Sequence, residues 1–137
     1  MTRTIRRAIV TAAAGFLGIC FAPAAHAQEN GFTVDPNLAK RGKTLWQNRG
    51  CAACHAIGKK QAGPDLFAVH ERRDPAWLRR WLKNTDEMLE TDSTARAMLA
   101  EWNNIKMPNL RLSDADVDAL LHYIAEETEK QRSRRGG

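Results

Sequence analysis

Cys51-Ala52-Ala53-Cys54-His55 is the grouping in this sequence whose residue types and spacing carry a specific chemistry. At C-x-x-C-H spacing, two thiols reach the two vinyl groups of a haem and form thioether bonds, and the adjacent imidazole is delivered to one face of the iron. Other chemistries also use paired thiols. A disulfide across C-x-x-C forms in an oxidising compartment. A thioredoxin-type redox pair needs a preceding strand and a βαβ pattern, and no alternating β-branched run reads as a strand. A zinc site needs a second ligand pair, which His70 and His122 do not supply at the usual spacing. The spacing therefore points to covalent haem. Haem iron also needs a sixth ligand or an open position, and the candidates after His55 are Met88, Met98, Met107, His70 and His122. Met107 is the best placed. In Lys106-Met107-Pro108-Asn109-Leu110 the proline biases Met107 toward extended backbone, so its thioether can project from a loop. Met98 falls in a predicted helix near Leu99 and Trp102, which suits core packing. Met88 sits among acids and is expected at the surface. His122 lies on the polar side of the last helix, and His70 in a loop without a partner pattern.

The elements that must position these groups read as helices throughout. Asp35 caps a first helix with Pro36 at its opening position, where the missing N–H is harmless. Leu38, Leu45 and Trp46 share one face of it. Residues 56–69 are a Gly- and Pro-punctuated loop. Asp74-Pro75 opens a second helix to about Lys83, with Trp77, Leu78, Trp81 and Leu82 on its apolar face. A short third helix is expected over about Ser93–Trp102. Ser113 and Asp116 form a capping-box pattern at the last helix, whose buried stripe is Val117, Leu120, Leu121 and Ile124. The basic tail from Lys130 is expected to be frayed and flexible. Helices this short are marginal alone, so something large and apolar should fill the middle.

The chain has 137 residues, 21 Lys+Arg against 16 Asp+Glu, and three cysteines. With 43% hydrophobic and 27% charged residues, its composition is that of one globular domain, not of a disordered or multi-span membrane protein. Residues 1–27 read as a cleaved Sec-type export signal: Arg3, Arg6 and Arg7, an apolar stretch from Ala8 to Ala22, then Ala25-His26-Ala27. That stretch is short of the ~20 residues a bilayer core needs. Arg6-Arg7 lacks the polar neighbour of a twin-arginine signal, and Ile19 before Cys20 is large for a lipidation site. Cleavage would leave a 28–137 domain of 110 residues. Its charge would be +2, because the three arginines leave, and its cysteines would be only Cys51 and Cys54. The expected location is the periplasm.

With these residues in place, the sequence resembles a class I (mitochondrial-type) monohaem cytochrome c over residues 36–128. The resemblance implies an all-α cytochrome c fold of four to five helices around one haem c, covalently bound through Cys51 and Cys54. It places Gly42 and Trp46 where the first helix crosses the last at Leu120 and Tyr123. Gly63-Pro64-Asp65-Leu66 is similar to the loop whose Pro64 carbonyl accepts the Nδ1–H of the haem histidine, with Leu66 beside the cofactor. Arg72 matches an arginine near a haem propionate, and Trp81 an aromatic position near the methionine. Trp77 and Trp81 either fill the core or turn their indole N–H groups to the propionates. The segment between Asn84 and Met107 is longer than in the mitochondrial proteins. With His55 and Met107 as the iron ligands no coordination position stays open, and no nucleophile–base pair is visible elsewhere. The implied function is one-electron transfer and not enzyme catalysis, as a carrier or as a haem subunit or donor of a respiratory oxidoreductase. The implied partners are a quinol-oxidising complex upstream and a terminal reductase or oxidase downstream. Contact with a membrane would come only through partners, nucleic acid has no role, and the state is monomeric. The stretch from Arg72-Arg73-Asp74-Pro75 to Met107 is also similar to haem domains linked to denitrification. Lys40, Arg41, Lys43, Arg49, Lys59 and Lys60 form either a solvated face or a docking patch. Two rival functions are a gas- or peroxide-reacting haem protein and a haem-free dithiol protein.

Overall fold

The computed structural model describes residues 32–137; the export signal expected at 1–27 and Cys20 lie outside them. Among the described residues six α-helices follow one another: α1 (Pro36–Asn48), α2 (Val69–Arg72), α3 (Pro75–Lys83), α4 (Thr85–Thr91), α5 (Ser93–Glu101) and α6 (Asp114–Gly136), with a 3-10 turn at Cys51–Ala53. There is no strand among the described residues. The all-α expectation holds, with two short helices, α2 and α4, where the sequence pattern gave only connecting segments.

The starts of the helices are written in side chains. The Asp35 carboxylate accepts the N–H groups of Asn37 and Leu38, at 2.8 and 3.2 Å, and that of Asp74 accepts the Trp77 N–H at 2.7 Å. Ser113 and Asp116 bond reciprocally at the start of α6, satisfying two donors that the first turn would otherwise leave orphaned. α1 crosses α6 at Gly42. A Cβ there would lie 1.9 Å from the Ala119 carbonyl oxygen and 2.7 Å from Tyr123 Cβ, so only a glycine lets the two backbones approach. Trp46 and Tyr123 pack beside the crossing, ring centroids 5.7 Å apart. Leu78, Leu112, Val117, Leu120, Leu121 and Ile124 complete the buried core.

The acids at the start of α6 do more than favour its dipole. Asp114 and Asp118 lie one turn apart and pair with Lys83 and Arg79, likewise one turn apart on α3. Asp116, on another face, takes Arg41 of α1 at 2.6 Å. These pairs are partly or largely exposed and are worth ~0–1 kcal/mol each, so they set register more than stability.

Two expectations are corrected here. Met88 is not exposed; it is 3% accessible. α4 puts Thr85 and Met88 three residues apart on one buried face, while the acids around Met88 occupy the outer face. The tail is not frayed either, because α6 runs through to Gly136. Gln131 Nε2 donates to the Ile57 carbonyl, Arg132 pairs with Glu71 at 2.5 Å, and the Arg132 and Arg135 guanidiniums lie 5.7 and 4.9 Å from the Phe67 ring.

Candidate functional site

Gly50, at φ +72°, turns the chain out of α1 into the 3-10 turn that carries the two thiols. The N–H groups of Cys54 and His55 both donate to the Cys51 carbonyl, at 3.2 and 2.9 Å, so the C-x-x-C-H segment is one closed turn. Cys51 and Cys54 are not joined in a disulfide. Cys51 is half-buried, and burial raises its thiol pKa above the ordinary value.

The His55 ring is fixed from two sides. Its Nδ1 lies 3.0 Å from the Pro64 carbonyl oxygen, which can only accept, so Nδ1 carries the hydrogen and Nε2 is left free. Gly63 packs against the imidazole so closely that a Cβ there would lie 2.5 Å from Cε1 and 2.8 Å from Nδ1. The loop holding Gly63 and Pro64 is itself tied down. The Gly63 N–H donates to the Cys54 carbonyl at 2.7 Å and the Leu66 N–H to that of Ala56 at 3.1 Å. The Asp65 carboxylate accepts the Gly58 and Phe67 N–H groups at 2.7 and 2.8 Å.

These groups open onto one crevice. All nine residues singled out in the sequence line it: Cys51, Cys54, His55, Pro64, Leu66, Arg72, Trp77, Trp81 and Met107. Of the other sixth-ligand candidates, Met98 of α5 lines it too, while Met88, His70 and His122 do not. His122 Nδ1 instead accepts the Asp35 N–H at 3.0 Å, and His70 is a buried residue of α2 next to Phe32, at 5.5 Å between ring centroids. Trp77 and Trp81 stack with centroids 5.6 Å apart and planes 11° from parallel. The Trp77 Nε1–H is buried and has no partner at hydrogen-bonding geometry. The Asp92 carboxylate is near enough, however, that this indole reinforces the Ala95 N–H in holding the carboxyl below its ordinary pKa. Arg72 commits Nε and Nη2 to the Phe67 carbonyl, at 3.1 and 2.8 Å, and Nη2 also to the Asp65 carbonyl at 3.0 Å.

The cations of the crevice differ from the cluster that sequence order suggests. Of Lys40, Arg41, Lys43, Arg49, Lys59 and Lys60, only Arg49 lines it, joined there by Arg72, Arg73 and Lys106. Four apolar lining side chains from the long segment are not evident as site residues in the sequence: Leu89, Leu99 and Trp102, with Ile105 after them. Nor is Asn109, whose side-chain NH2 reaches Asn84 and Asp86 at 2.8 and 3.1 Å. One local signal existed, because Asn84-Thr85-Asp86-Glu87 is an N-cap pattern, and Asn84 Oδ1 does accept the Glu87 N–H.

Residues 39–127 match the cytochrome c family model. The chain belongs to the cytochrome c family. The fold is similar to a cytochrome c from Rhodothermus marinus, with 29% identity and a TM-score of 0.66 over 74% of this chain and 85% of that one. It is also similar to the cytochrome c domain of the pp3183 protein from Pseudomonas putida, with 38% identity and a TM-score of 0.61 over 70% and 95%. A curated relative, cytochrome c oxidase subunit 2 of Alkalihalophilus pseudofirmus, is 30% identical over 94 residues, which is 64% of this chain but 25% of that protein's length. Family membership makes this cytochrome a haem c protein that transfers electrons. The residues present fit that group: the crevice is walled mostly by apolar side chains, both thiols and the imidazole reach it, and Gly63 leaves the imidazole room that a methyl group would take.

Proposed function

We infer that the chain is a one-electron carrier of the periplasm, with one haem c held by thioethers to Cys51 and Cys54 and His55 Nε2 and Met107 Sδ as the iron ligands. The observation that carries this reading is the convergence of the C-x-x-C-H turn and Met107 on one largely apolar crevice. The haem supplies the redox chemistry. The protein's residues orient and insulate it. Pro64 fixes the His55 tautomer through the Nδ1–H bond and raises the basicity of the ring. The stacked Trp77 and Trp81, with Leu99 of α5 and Trp102 just after it, would keep water from the Met107 side. Leu66 packs on the other, and Arg72, with Nη1 uncommitted, is the propionate partner. With His55 and Met107 both holding the iron, substrate chemistry there would be disfavoured and the potential would be raised.

Export by the signal at 1–27 leaves the domain 28–137 as a soluble monomer, which takes electrons from a quinol-oxidising complex and passes them to a terminal acceptor. The likeness to a segment of cytochrome c oxidase subunit 2 favours a terminal oxidase as that acceptor, or a place as haem subunit beside one; the denitrification link rests on the likeness of the stretch from Arg72-Arg73-Asp74-Pro75, through Trp77 and Trp81, to Met107. Arg49, Arg72, Arg73 and Lys106 at the crevice suit a partner surface rich in carboxylates.

The test is spectroscopy of the purified holoprotein. The haem should stay on the chain in a denaturing gel. The ferric protein should show a far-red methionine–iron charge-transfer band that Met107→Ala abolishes and Met98→Ala retains. Rapid CO binding by the reduced wild type, or a band that survives in Met107→Ala, would overturn the ligand assignment.

A further inference from the structure

The segment carrying Met107 is held in an unusual way. Residues 106–112 make no backbone–backbone hydrogen bond among the described residues: the last before them is Ile105 N–H to the Trp102 carbonyl, at 3.0 Å, and the next begins at Asp116. Three non-glycine residues have left-handed backbone here, Asn103 and Asn104 just before the segment at φ +55° and +58°, and Arg111 near its end at +47°. No ladder therefore fixes the height or direction of Met107. On its C-terminal side, Leu112 is buried and Leu110 packs on the core. Nearer Met107, the polar anchors are side chains, and they converge on the first turn of α4. Lys106 Nζ meets one Asp86 carboxylate oxygen at 2.5 Å. Asn109 donates to the other at 3.1 Å and to Asn84 Oδ1 at 2.8 Å, while its own Oδ1 accepts the Arg111 N–H at 3.0 Å. Both hydrogens and the oxygen of the Asn109 amide are thus used, and the Asp86 carboxylate bridges the residues on either side of Met107-Pro108.

We propose that Asp86 and Asn109 are positioning residues that hold the Met107 segment against the haem crevice, with α4 as the fixed mount. The proposal rests on Met107 being the iron ligand. Released from this clasp, the segment has only its apolar anchors, so the methionine leaves the iron more often without any other part of the core changing. A single polar contact of this kind shifts such an equilibrium roughly three- to tenfold.

Imidazole added to the ferric holoprotein reads that equilibrium directly, because it binds only when the sixth ligand is off. Asn109→Asp keeps the Arg111 turn but sets a carboxylate against Asp86 and Asn84 Oδ1; Asp86→Ala removes the bridge from a half-exposed site where folding is not at stake. Both variants should bind imidazole about three- to tenfold more tightly than wild type, with a weaker far-red band. Asp86→Asn, which still accepts from Asn109, should recover part of the difference. Wild-type imidazole affinity in both Asn109→Asp and Asp86→Ala, with Met107→Ala binding more tightly, overturns the clasp and leaves the ligand assignment standing. Equal affinity in Met107→Ala and wild type overturns the ligand assignment and the clasp with it.

Discussion

A methyl group at residue 63 has no room: it would overlap Cε1 and Nδ1 of His55. Relieving the overlap means turning the imidazole or moving the loop, and either costs the Nδ1–H bond to Pro64. Gly63→Ala should therefore lower the stability of the holoprotein by about 2 kcal/mol, as overpacking of a well-filled site does, and raise its reduction potential, because the histidine becomes a weaker donor to ferric iron. Denaturant titration and a redox titration check this against Gly136→Ala, where the same methyl meets open space; equal midpoints for the two variants would refute it. The site was largely legible at this scale because its signals are local. C-x-x-C-H is one turn, and the effect of Pro108 on Met107 acts on the neighbouring residue. Asn109 and Asp86 were not legible, because they meet across 23 residues and no spacing rule links an asparagine in a loop to an aspartate in a helix. Met88 departs from expectation for a related reason: its flanking acids suggest exposure, whereas the i,i+3 relation with Thr85 marks the buried face.

The helices announce themselves where a cap is written beside an apolar face, as at Asp35, Asp74 and Ser113. They are hard to see where the signal is short, as at α2, or where a cap stands without a long apolar face, as at Asn84. The far end of α6 is the other miss. Basic composition suggested a loose tail, but the helix earns its length through contacts that only the tertiary fold supplies. Thr128 Oγ1 accepts the Ala68 N–H at 3.0 Å, Gln131 caps the Ile57 carbonyl, and Arg132 reaches Glu71. A Cβ at Gly58, already at φ +94°, would strike Gln131 Oε1, so loop and helix end are fitted to each other. The loop over 56–66 presents Pro64 to His55, which makes the end of α6 a remote support of the site. Ending the chain after Lys130 removes the Gln131 bond and the Arg132 pair. Losing ~1 kcal/mol of hydrogen bonding there should speed amide exchange at Gly58, Gly63 and Leu66 about fivefold in the holoprotein, with exchange in α3 unchanged. Identical exchange across 56–66 in the full and shortened chains would show that the helix end is an ornament to this loop.

For the molecule as a whole, one acid-sensitive seam lies where the segment before α1, the short α2 and the last turns of α6 meet. His70 is buried there beside Phe32, with Glu71 Oε1 3.3 Å from its Nε2 and Glu129 and Arg132 facing it from α6. Two effects oppose each other: the carboxylates favour the imidazolium, and burial disfavours it. Burial is the larger, so the folded-state pKa lies below the ordinary 6.5. His70 Nδ1, buried without a partner, gives the charged ring no compensating acceptor. The unfolded chain then takes up a proton that the folded chain refuses, and stability is full above about pH 6.5 and falls as pH drops below it. Glu71 acts in the same direction but lower. Its hydrogen bond to Arg132 holds its carboxyl below the ordinary 4.5, so its contribution is complete above that value and is lost as pH falls through the folded pKa. Denaturant midpoints of the holoprotein should fall between pH 7 and pH 5.5, with a slope of at most about 1.4 kcal/mol per pH unit from this one group. His70→Gln should flatten that interval, whereas Glu71→Gln should keep it and lose only the steeper decline below about pH 4.5. A His70→Gln protein that loses stability over pH 7 to 5.5 as wild type does would move the acid-sensitive group elsewhere in the fold.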